Sequence, residues 1–224
     1  MIIPALDEEA SIGGVIEAIP PWVDEVVVVD NGSTDGTAGA AAVRGARVVH
    51  EPERGYGAAC LRGIASLDSP DVVVFLDGDG ADDPDEMERL VRPIAAGDAE
   101  LVVGSRVRGE REPGALTPQA RFGNLLACGL MRLLWGTRYT DLGPFRAIGH
   151  DALLRLGMGD RDFGWTVEMQ VRAAQQGLAA REVPVSYRRR RLGRSKVSGT
   201  LRGVWGAGTK ILGTIVLLAP KERR

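Results

Sequence analysis

The sequence predicts an α/β fold in which a mostly parallel central sheet is flanked by helices. Apolar, mostly β-branched runs alternate along the first half of the chain with segments whose apolar side chains recur at helical spacing. The runs at 26–29 and 72–76 are apolar throughout, which suits strands buried on both faces of a parallel sheet. Regular strand–helix alternation favours right-handed crossover connections between parallel strands.

The first five strands are predicted at 1–4, 25–30, 47–50, 72–76 and 101–104. Between the first two strands, Ser11 is predicted to cap a helix that ends before the Pro20-Pro21 pair. A small-residue helix to about residue 44 and a helix after the glycine-flanked loop at 54–57 follow the next two strands. Asp83 is predicted to cap a helix with Pro84 at its first position.

The second half of the chain has a different composition. A polar loop rich in Gly, Arg and Glu is predicted at 106–118 and a helix at 122–135. A turn into a strand at 143–148, a helix at 165–176 and a strand at 182–187 come next. A basic loop at 188–198 and a glycine-containing helix at 200–218 complete the predicted elements, and no linker separates the two halves into domains.

Composition excludes several classes of protein. The chain has 224 residues, 44% hydrophobic and 26% charged, as in an ordinary globular protein. A formal net charge of −2 gives no basic field for nucleic acid. Cys60 and Cys128 lie far apart in apolar segments and are predicted to be reduced core residues. No signal peptide is recognised and no apolar run approaches the ~20 residues of a membrane-spanning helix, so a cytoplasmic protein is expected.

Acidic residues follow three of the predicted strands. Asp7 and Glu8 follow the first, Asp30 the second, and Asp77 and Asp79 the fourth. Ligands of open α/β sheets bind beyond the carboxyl ends of the strands, so these side chains are expected at one edge. Taken singly, Asp30 reads as a turn residue and Glu8 as a solvated acid at a helix start. Together they predict a site for a divalent cation and a phosphate.

Two other interpretations of the acidic run fit less well. A calcium-binding loop with Asp77, Asp79 and Glu88 at its first, third and twelfth positions fails because Asp82 stands where such loops need glycine. A phosphatase that uses two aspartates would place them after the first strand and follow them with a hydroxyl residue. Here they follow the fourth strand and precede Gly80 and Ala81.

Several ordered motifs carry a family resemblance. They are Pro4-Ala5-Leu6-Asp7-Glu8-Glu9, the run 29–37 (VDNGSTDGT), Phe75-Leu76-Asp77-Gly78-Asp79 and Gly104-Ser105-Arg106. In order and spacing they resemble the family-2 inverting glycosyltransferases of GT-A fold. The segments 140–146 (TDLGPFR) and 193–196 (GRSK) are similar to the branch that contains dolichyl- and polyprenyl-phosphate mannose or glucose synthases. The resemblance covers nearly the whole chain.

The resemblance implies roles for individual positions. Four positions are expected to hold the nucleotide's base and ribose: Pro4, Ala5, Glu8 and Asp30. The turn residues Gly32 and Ser33 are expected beside them. Asp77, Gly78 and Asp79 are expected to contact the ribose and, through Mg²⁺ or Mn²⁺ bound by Asp77 and Asp79, the diphosphate. A hard cation held by carboxylates neutralises the charge that develops on a sugar-nucleotide leaving group.

Basic residues are expected to share the phosphate load. Arg106, Arg121 and Arg146 suit bidentate phosphate contacts, although each alone also reads as a surface arginine. The basic-loop residues Arg191, Ser195 and Lys196 are expected to form a clamp over a diphosphate or an acceptor phosphate, the alternative being a solvated charged face.

A general base is needed only for some acceptors. A phosphate acceptor is already anionic near neutral pH, whereas a hydroxyl acceptor needs a carboxylate within hydrogen-bond reach. Asp141 and Glu168 are the candidates, and Glu168 alternatively pairs with Arg172 four residues on. The predicted catalytic group therefore comprises Asp79, Arg106, Asp141, Arg146 and Glu168.

One departure from the family pattern affects the metal. The place where branch members often carry a metal-assisting Gln is Ala81. Three substitutes remain open at this stage: Asp82, Asp83 or water.

The sequence thus predicts one GT-A domain over 1–224. Residues 1–105 would bind the nucleotide sugar, 106–199 the acceptor, and 200–224 would form an amphipathic helix and basic tail. The expected reaction is metal-dependent, inverting transfer of a hexose from UDP-glucose or GDP-mannose to a polyprenyl phosphate. The alternatives are a soluble hydroxyl acceptor and a sugar-nucleotide-binding module without turnover. For the last helix, core packing, a homodimer contact and peripheral contact with the inner face of the membrane all remain open.

Overall fold

The computed structural model describes residues 1–190 and 201–219 of the chain, and the side chains at 201–205 and 207 are not among the features described. The predicted clamp residues Arg191, Ser195 and Lys196 and the basic tail at 220–224 lie outside these ranges.

Seven strands form one sheet in the order β3-β2-β1-β4-β6-β5-β7. Their bounds are β1 Ile2–Ala5, β2 Val27–Asp30, β3 Arg47–His50, β4 Val72–Phe75, β5 Leu101–Ser105, β6 Arg146–Gly149 and β7 Ala180–Pro184. All neighbouring pairs are parallel except those of β6, which runs antiparallel to both β4 and β5. The predicted mostly parallel α/β sheet is confirmed.

In the described part of the chain, eight α-helices flank the sheet. Their bounds are α1 Glu9–Glu17, α2 Thr37–Val43, α3 Tyr56–Ile64, α4 Met87–Ala95, α5 Pro118–Trp135, α6 His150–Leu156, α7 Trp165–Gln175 and α8 Leu201–Leu218. A short 3₁₀ turn at Pro84–Glu86 precedes α4, and the Asp83 carboxylate accepts the Asp85 N–H at its start, as predicted.

Successive residues of each strand enter different hydrophobic layers, because side chains alternate across a sheet. Ile3 packs in one layer with α1 and α4, and Ile2 packs in the other with α3, α6 and α7. A third cluster joins α5, α7 and α8 and contains Met131, Val171 and the buried Ile215. The inner side of α8 is therefore core, which was one of the three interpretations of this helix.

The structure corrects several predicted boundaries. Ser11 is not an N-cap but lies inside α1, which begins at Glu9. The polar loop after β5 is shorter than predicted, since α5 starts at Pro118 with the Thr117 hydroxyl accepting the Ala120 N–H at 3.2 Å. The last strand lies at 180–184 instead of 182–187, and α6 was not predicted. Both cysteines are free and buried, as expected.

Candidate active site

A cavity of about 410 Å³ opens at the carboxyl ends of β1, β2 and β4. Six residues predicted to bind the nucleotide sugar line it: Pro4, Ala5, Glu8, Asp77, Gly78 and Asp79. The sheet brings them together because parallel β1 and β4 are neighbours and both end at this edge. The volume is within the ~300–1,000 Å³ range typical of small-molecule sites.

Asp77 is half-buried in the cavity, where Asp79 and Glu8 are buried. The Tyr56 hydroxyl donates to its Oδ1 at 3.1 Å. Burial, followed by the negative charge of Asp79, raises the pKa of Asp77 to about 7. Asp77 therefore exchanges a proton near neutral pH unless a cation stabilises its charged form.

Asp79 and Glu8 share a cation in this structure. Arg190 donates to Asp79 Oδ2 at 2.7 Å and to Glu8 Oε1 at 3.0 Å. Burial disfavours the charged guanidinium, but the two carboxylates outweigh it and raise the pKa of Arg190. A hydrogen bond from the Ala81 N–H at 2.9 Å fixes the other oxygen of Asp79. The carboxylates face the cavity in a geometry that binds positive charge.

Gly78 allows the tight packing between β4 and α1. A Cβ at this position would come within 3.2 Å of Ile12 Cδ1 and 3.4 Å of Ile3 Cγ2. Its carbonyl accepts the Ser11 hydroxyl at 2.9 Å, and the same hydroxyl lies 3.0 Å from Glu8 Oε2. Ser11 therefore ties the acidic turn after β4 to the first turn of α1.

Three predicted nucleotide residues shape the turn after β2 instead of lining the cavity. Asp30 accepts the Ser33 N–H at 3.0 Å and contacts His50 Nδ1 at 3.0 Å. Gly32 has a φ of +79°, a conformation that suits glycine. The Ser33 hydroxyl accepts the Asp7 N–H at 3.0 Å, which ties the turns after β1 and β2 together.

A buried ion pair joins β5 to the segment before β6. The Arg106 side chain donates to both oxygens of Asp141, each at 2.8 Å. Burial alone would raise the pKa of Asp141, but Arg106 and the hydrogen bonds from its N–H groups lower the pKa below its ordinary value. The Asn124 amide and the Leu142 N–H also donate to this carboxylate. Asp141 is saturated with donors, so the general-base role predicted for it does not fit; it positions Arg106.

Arg146 lies behind the site and does not face it. Its side chain is fully buried, and its guanidinium donates to the backbone carbonyls of Gly143, Leu142 and Thr166. The direct phosphate contact predicted for Arg146 therefore does not fit this structure. At the start of β6, the guanidinium holds the turn at 142–143 against α7.

Glu168 is also a structural acid. Its carboxylate accepts the N–H groups of Gly159 and Asp160 at 3.1 and 2.7 Å and the Arg172 guanidinium at 2.8 Å. The alternative prediction, that Glu168 pairs with Arg172, is confirmed. Because these donors occupy its carboxylate, Glu168 does not fit the general-base role that was also predicted for it. Glu168 instead fixes the loop that leads to Phe163, a wall of the cavity.

Arg121 lies apart from the donor cavity, exposed in the first turns of α5. It lines a second cavity of about 580 Å³ with Asn124, Phe122 and Arg132. Asn124 connects this cavity to the buried pair, since its amide contacts Asp141. Arg121 therefore does not lie in the donor cavity, where the sequence placed it with the phosphate-binding arginines.

The geometry agrees with what the chain is similar to. Residues 1–156 match the Glycosyl transferase family 2 domain. The chain belongs to this family. It is a glycosyltransferase, as its motifs predicted, and the expectation of a binding module without turnover is set aside.

The names of the relatives differ in whether they state a sugar and an acceptor. An uncharacterized glycosyltransferase of Mycobacterium tuberculosis is 40% identical over 205 residues, covering 91% of each chain. An undecaprenyl-phosphate mannosyltransferase of Micrococcus luteus is 33% identical over 222 residues, covering 90% of this chain and 88% of the relative.

The fold is also found among solved structures. Glucosyl-3-phosphoglycerate synthase of M. tuberculosis, in complex with phosphoglyceric acid, is 26% identical with a TM-score of 0.77, covering 99% of this chain and 80% of that one. The same enzyme was crystallised with Mn²⁺, UDP and glucosyl-3-phosphoglycerate. The GT-A fold and the divalent cation predicted from the sequence agree with these structures.

The acidic edge of the glycosyltransferase fits such a cation. The described residues contain no ready-made group of three His, Cys, Asp or Glu ligands. Mg²⁺, however, is usually held by one or two carboxylates together with substrate phosphates. Asp79 supplies one carboxylate at the cavity, and Asp82 carries two buried oxygens that have no hydrogen-bond partner within 1–190 and 201–219. These carboxylates therefore suit a hard cation whose remaining ligands are oxygens of a bound diphosphate.

Sequence reasoning missed several residues of the site. Arg190 is the basic-loop arginine that reaches the acids, while the predicted Arg191 falls outside the described residues. Asn31 also lines the cavity, and its side chain holds the loop before α3 by accepting the Gly55 N–H at 2.8 Å. Tyr56, whose hydroxyl donates to Asp77, was not predicted as a site residue either. The four consecutive arginines at 188–191 signalled an anion or acid partner, but they could not show which one reaches it.

Proposed function

We propose that this glycosyltransferase moves a hexose from UDP-glucose or GDP-mannose to a polyprenyl phosphate, with inversion. The donor occupies the cavity at the carboxyl edge of the sheet, with its diphosphate beside Asp79 and its nucleoside toward Pro4 and Asn31. A bound Mg²⁺ or Mn²⁺ neutralises charge on the departing diphosphate. Arg190 is placed to bind the same diphosphate once it leaves the carboxylates it contacts in this structure.

The observation that carries the acceptor class is the pair of cavities along α5. The first holds two arginines, Arg121 and Arg132, against an apolar wall. The second is an apolar groove of about 590 Å³ between α5 and α8, lined by Leu126 and Ile211 among others. Phe122 lines both cavities. A phosphate head beside arginines and a hydrocarbon chain in an adjoining apolar groove match a polyprenyl phosphate.

The exposed face of α5 supports contact with a membrane surface. Phe122, Leu125 and Leu133 lie on one face and are 67%, 73% and 80% exposed. Arg121 and Arg132 lie next to them along the helix, which favours an anionic lipid surface. No helix of the described residues is long and apolar enough to cross a membrane. The proposed location is therefore peripheral, at the inner face of the membrane.

A phosphate acceptor also suits the acids of the site. Such an acceptor attacks without losing a proton to the protein, so no free carboxylate is required. Asp141 and Glu168 are both saturated by donors. These contacts support an acceptor that is already anionic.

The second candidate is a soluble phosphorylated acceptor that reacts through a hydroxyl. It is favoured by the fold similarity to glucosyl-3-phosphoglycerate synthase. The arginines of the α5 cavity serve the phosphate of either acceptor. The apolar groove and the exposed leucines have no role with a small soluble acceptor, so the lipid is preferred.

The two acceptors are separated by following labelled sugar. The protein is incubated with Mn²⁺ and labelled UDP-glucose or GDP-mannose, with undecaprenyl phosphate in anionic vesicles or with 3-phosphoglycerate in solution. Label that extracts into organic solvent, and is lost in Asp79→Asn, is the expected result. Label that appears only in the aqueous product overturns the lipid acceptor.

A further inference from the structure

Asp82 is a buried acid that lacks a side-chain hydrogen-bond partner among residues 1–190 and 201–219. Its relative exposure is 3%, and neither carboxylate oxygen has a hydrogen-bond partner within the described residues. Buried carboxylates normally accept hydrogen bonds or pair with a cation, because leaving one unpaired costs several kcal/mol. The Asp82 carboxylate therefore requires a bound proton or a nearby cation to offset the free-energy cost of its burial.

The groups around Asp82 do not meet this requirement. Burial is the largest cause that raises the pKa of Asp82 well above its ordinary value, and the charges of Asp77, Asp79 and Asp141 add to it. The charge of Arg106 acts in the opposite direction, but its Nε and Nη2 atoms donate to Asp141 and its guanidinium carbon lies 5.0 Å from the centre of the Tyr187 ring. A concentration of acids with one committed arginine favours binding of a further cation.

Backbone contacts hold Asp82 beside Asp79. The Ala81 N–H donates to Asp79 Oδ1, and the Ala81 carbonyl accepts the Arg188 N–H at 2.8 Å. Asp82 itself pairs with Tyr187 through an isolated β-bridge. Asp79 and Asp82 line the same cavity of about 290 Å³. Two acids thus line one small cavity, and Asp79 joins it to the donor cavity, which it also lines.

We propose that Asp82 is a further protein carboxylate of the divalent-cation site, in addition to the predicted pair Asp77 and Asp79, and binds Mg²⁺ or Mn²⁺ together with Asp79. This inference rests on the proposed function, because the remaining ligands are phosphate oxygens of the nucleotide donor. Ala81 stands where branch members often carry a metal-assisting Gln, and its methyl group cannot coordinate a metal. The inference assigns that ligand to the next residue, Asp82.

Asp83, the other acid that follows Ala81, is already engaged. Its carboxylate accepts the Asp85 N–H at the start of the 3₁₀ turn and pairs with the Arg188 guanidinium. Asp83→Asn is therefore a matched control for Asp82→Asn, since it removes the same charge one residue away.

The experiment measures Mn²⁺ affinity in the presence of UDP, and separately of GDP, by isothermal titration calorimetry and by the EPR signal of free Mn²⁺. We expect Asp82→Asn to weaken Mn²⁺ binding at least about tenfold, and Asp83→Asn to change it less than about twofold. Without Mn²⁺, Asp82→Asn should melt at the same temperature as wild type or higher, because it removes an unpaired buried acid. Asp82→Ser serves as a second variant should the Asn variant not fold.

The outcomes separate this inference from the proposed function. Wild-type affinity for Mn²⁺ in a folded Asp82→Asn protein overturns the role of Asp82 and leaves the donor assignment intact. In that case the buried Asp82 of the wild type is simply protonated. Loss of affinity in Asp83→Asn alone transfers the role to Asp83. Failure of the wild type to take up Mn²⁺ with either nucleotide overturns both proposals.

Discussion

The guanidinium of Arg190 lies 2.7 Å from the carboxylate of Asp79, the acid expected to hold the metal. Arg190 belongs to the basic segment after β7 and lines the donor cavity, so its guanidinium is a positive charge beside the acids there. A metal ion bound at Asp79 would compete with Arg190 for this carboxylate, and a bound diphosphate would offer Arg190 another partner.

Replacement of Arg190 by Met is expected to increase the stabilisation that Mn²⁺ gives the protein. The substitution removes the guanidinium that Asp79 and Glu8 both contact, so the metal-free protein should lose about 1–3 kcal/mol of unfolding free energy. Thermal unfolding with and without Mn²⁺ measures both effects. Arg188→Met is the control, because Arg188 is half-exposed in its pair with Asp83 and should have little influence. An unchanged Mn²⁺ response in Arg190→Met would show that the two cations do not compete.

Replacement of Asp141 by Asn should destabilise the fold by roughly 3–5 kcal/mol, because Arg106 is left as an uncompensated buried charge. The pair is 12% and 0% exposed at its two side chains. Urea unfolding provides the measurement. Asp98→Asn, in an exposed pair with Arg181, should cost less than about 1 kcal/mol. Equal effects of the two substitutions would contradict a special role for the buried pair.

Replacement of Glu168 by Gln should lower stability without removing the chemical step. The variant loses the charge that Arg172 and two backbone N–H groups contact, so a loss of about 1–3 kcal/mol is expected. The kcat of sugar transfer should fall by less than about tenfold, whereas loss of a general base typically costs about 10²–10⁴-fold. A fall in that larger range with intact folding would restore Glu168 as a base.

Asp77 is expected to make the metal-free protein less stable as pH rises. Its folded pKa of about 7 lies above the ordinary value of about 3.9, so between these values the folded state holds a proton that the unfolded chain releases. The free energy of unfolding should therefore fall on the order of 1–4 kcal/mol as pH rises through this window. Denaturant unfolding between pH 4 and pH 7.5 tests this, with Asp77→Asn as the comparison. A variant that keeps the wild-type pH slope would exclude Asp77 as its source.

Replacement of Arg121 by Ala should impair the acceptor and leave the donor unaffected. Arg121 lines the α5 cavity and not the donor cavity. The KM for undecaprenyl phosphate should rise roughly tenfold, as for loss of one charge-assisted contact, while the Kd for UDP with Mn²⁺ stays constant. Arg138→Ala, outside both cavities, is the control. A parallel loss of UDP affinity would move Arg121 into the donor site.

The family, the sheet and the acidic edge could be predicted from the sequence because they depend on local features. Uninterrupted apolar runs specify buried strands, and acids directly after them must lie where those strands end. This reasoning predicted that Glu8, Asp77 and Asp79 line the site, whereas Pro4, Ala5 and Gly78 were implied by the family resemblance. Their chemistry is fixed by residue type and by their place at the strand ends.

The partners of the charged residues were decided only by the tertiary structure. Arg106, Arg146 and Arg190 look alike in sequence, yet one pairs with a buried acid, one holds backbone carbonyls and one reaches the acids of the donor site. Glu168 and Asp82 likewise differ only in what surrounds them, since one carboxylate is saturated and the other has no partner within the described residues. The sequence determined which charges exist near the sheet edge. Long-range packing determined which are satisfied, because burial and distance set the free energy of each ionised group.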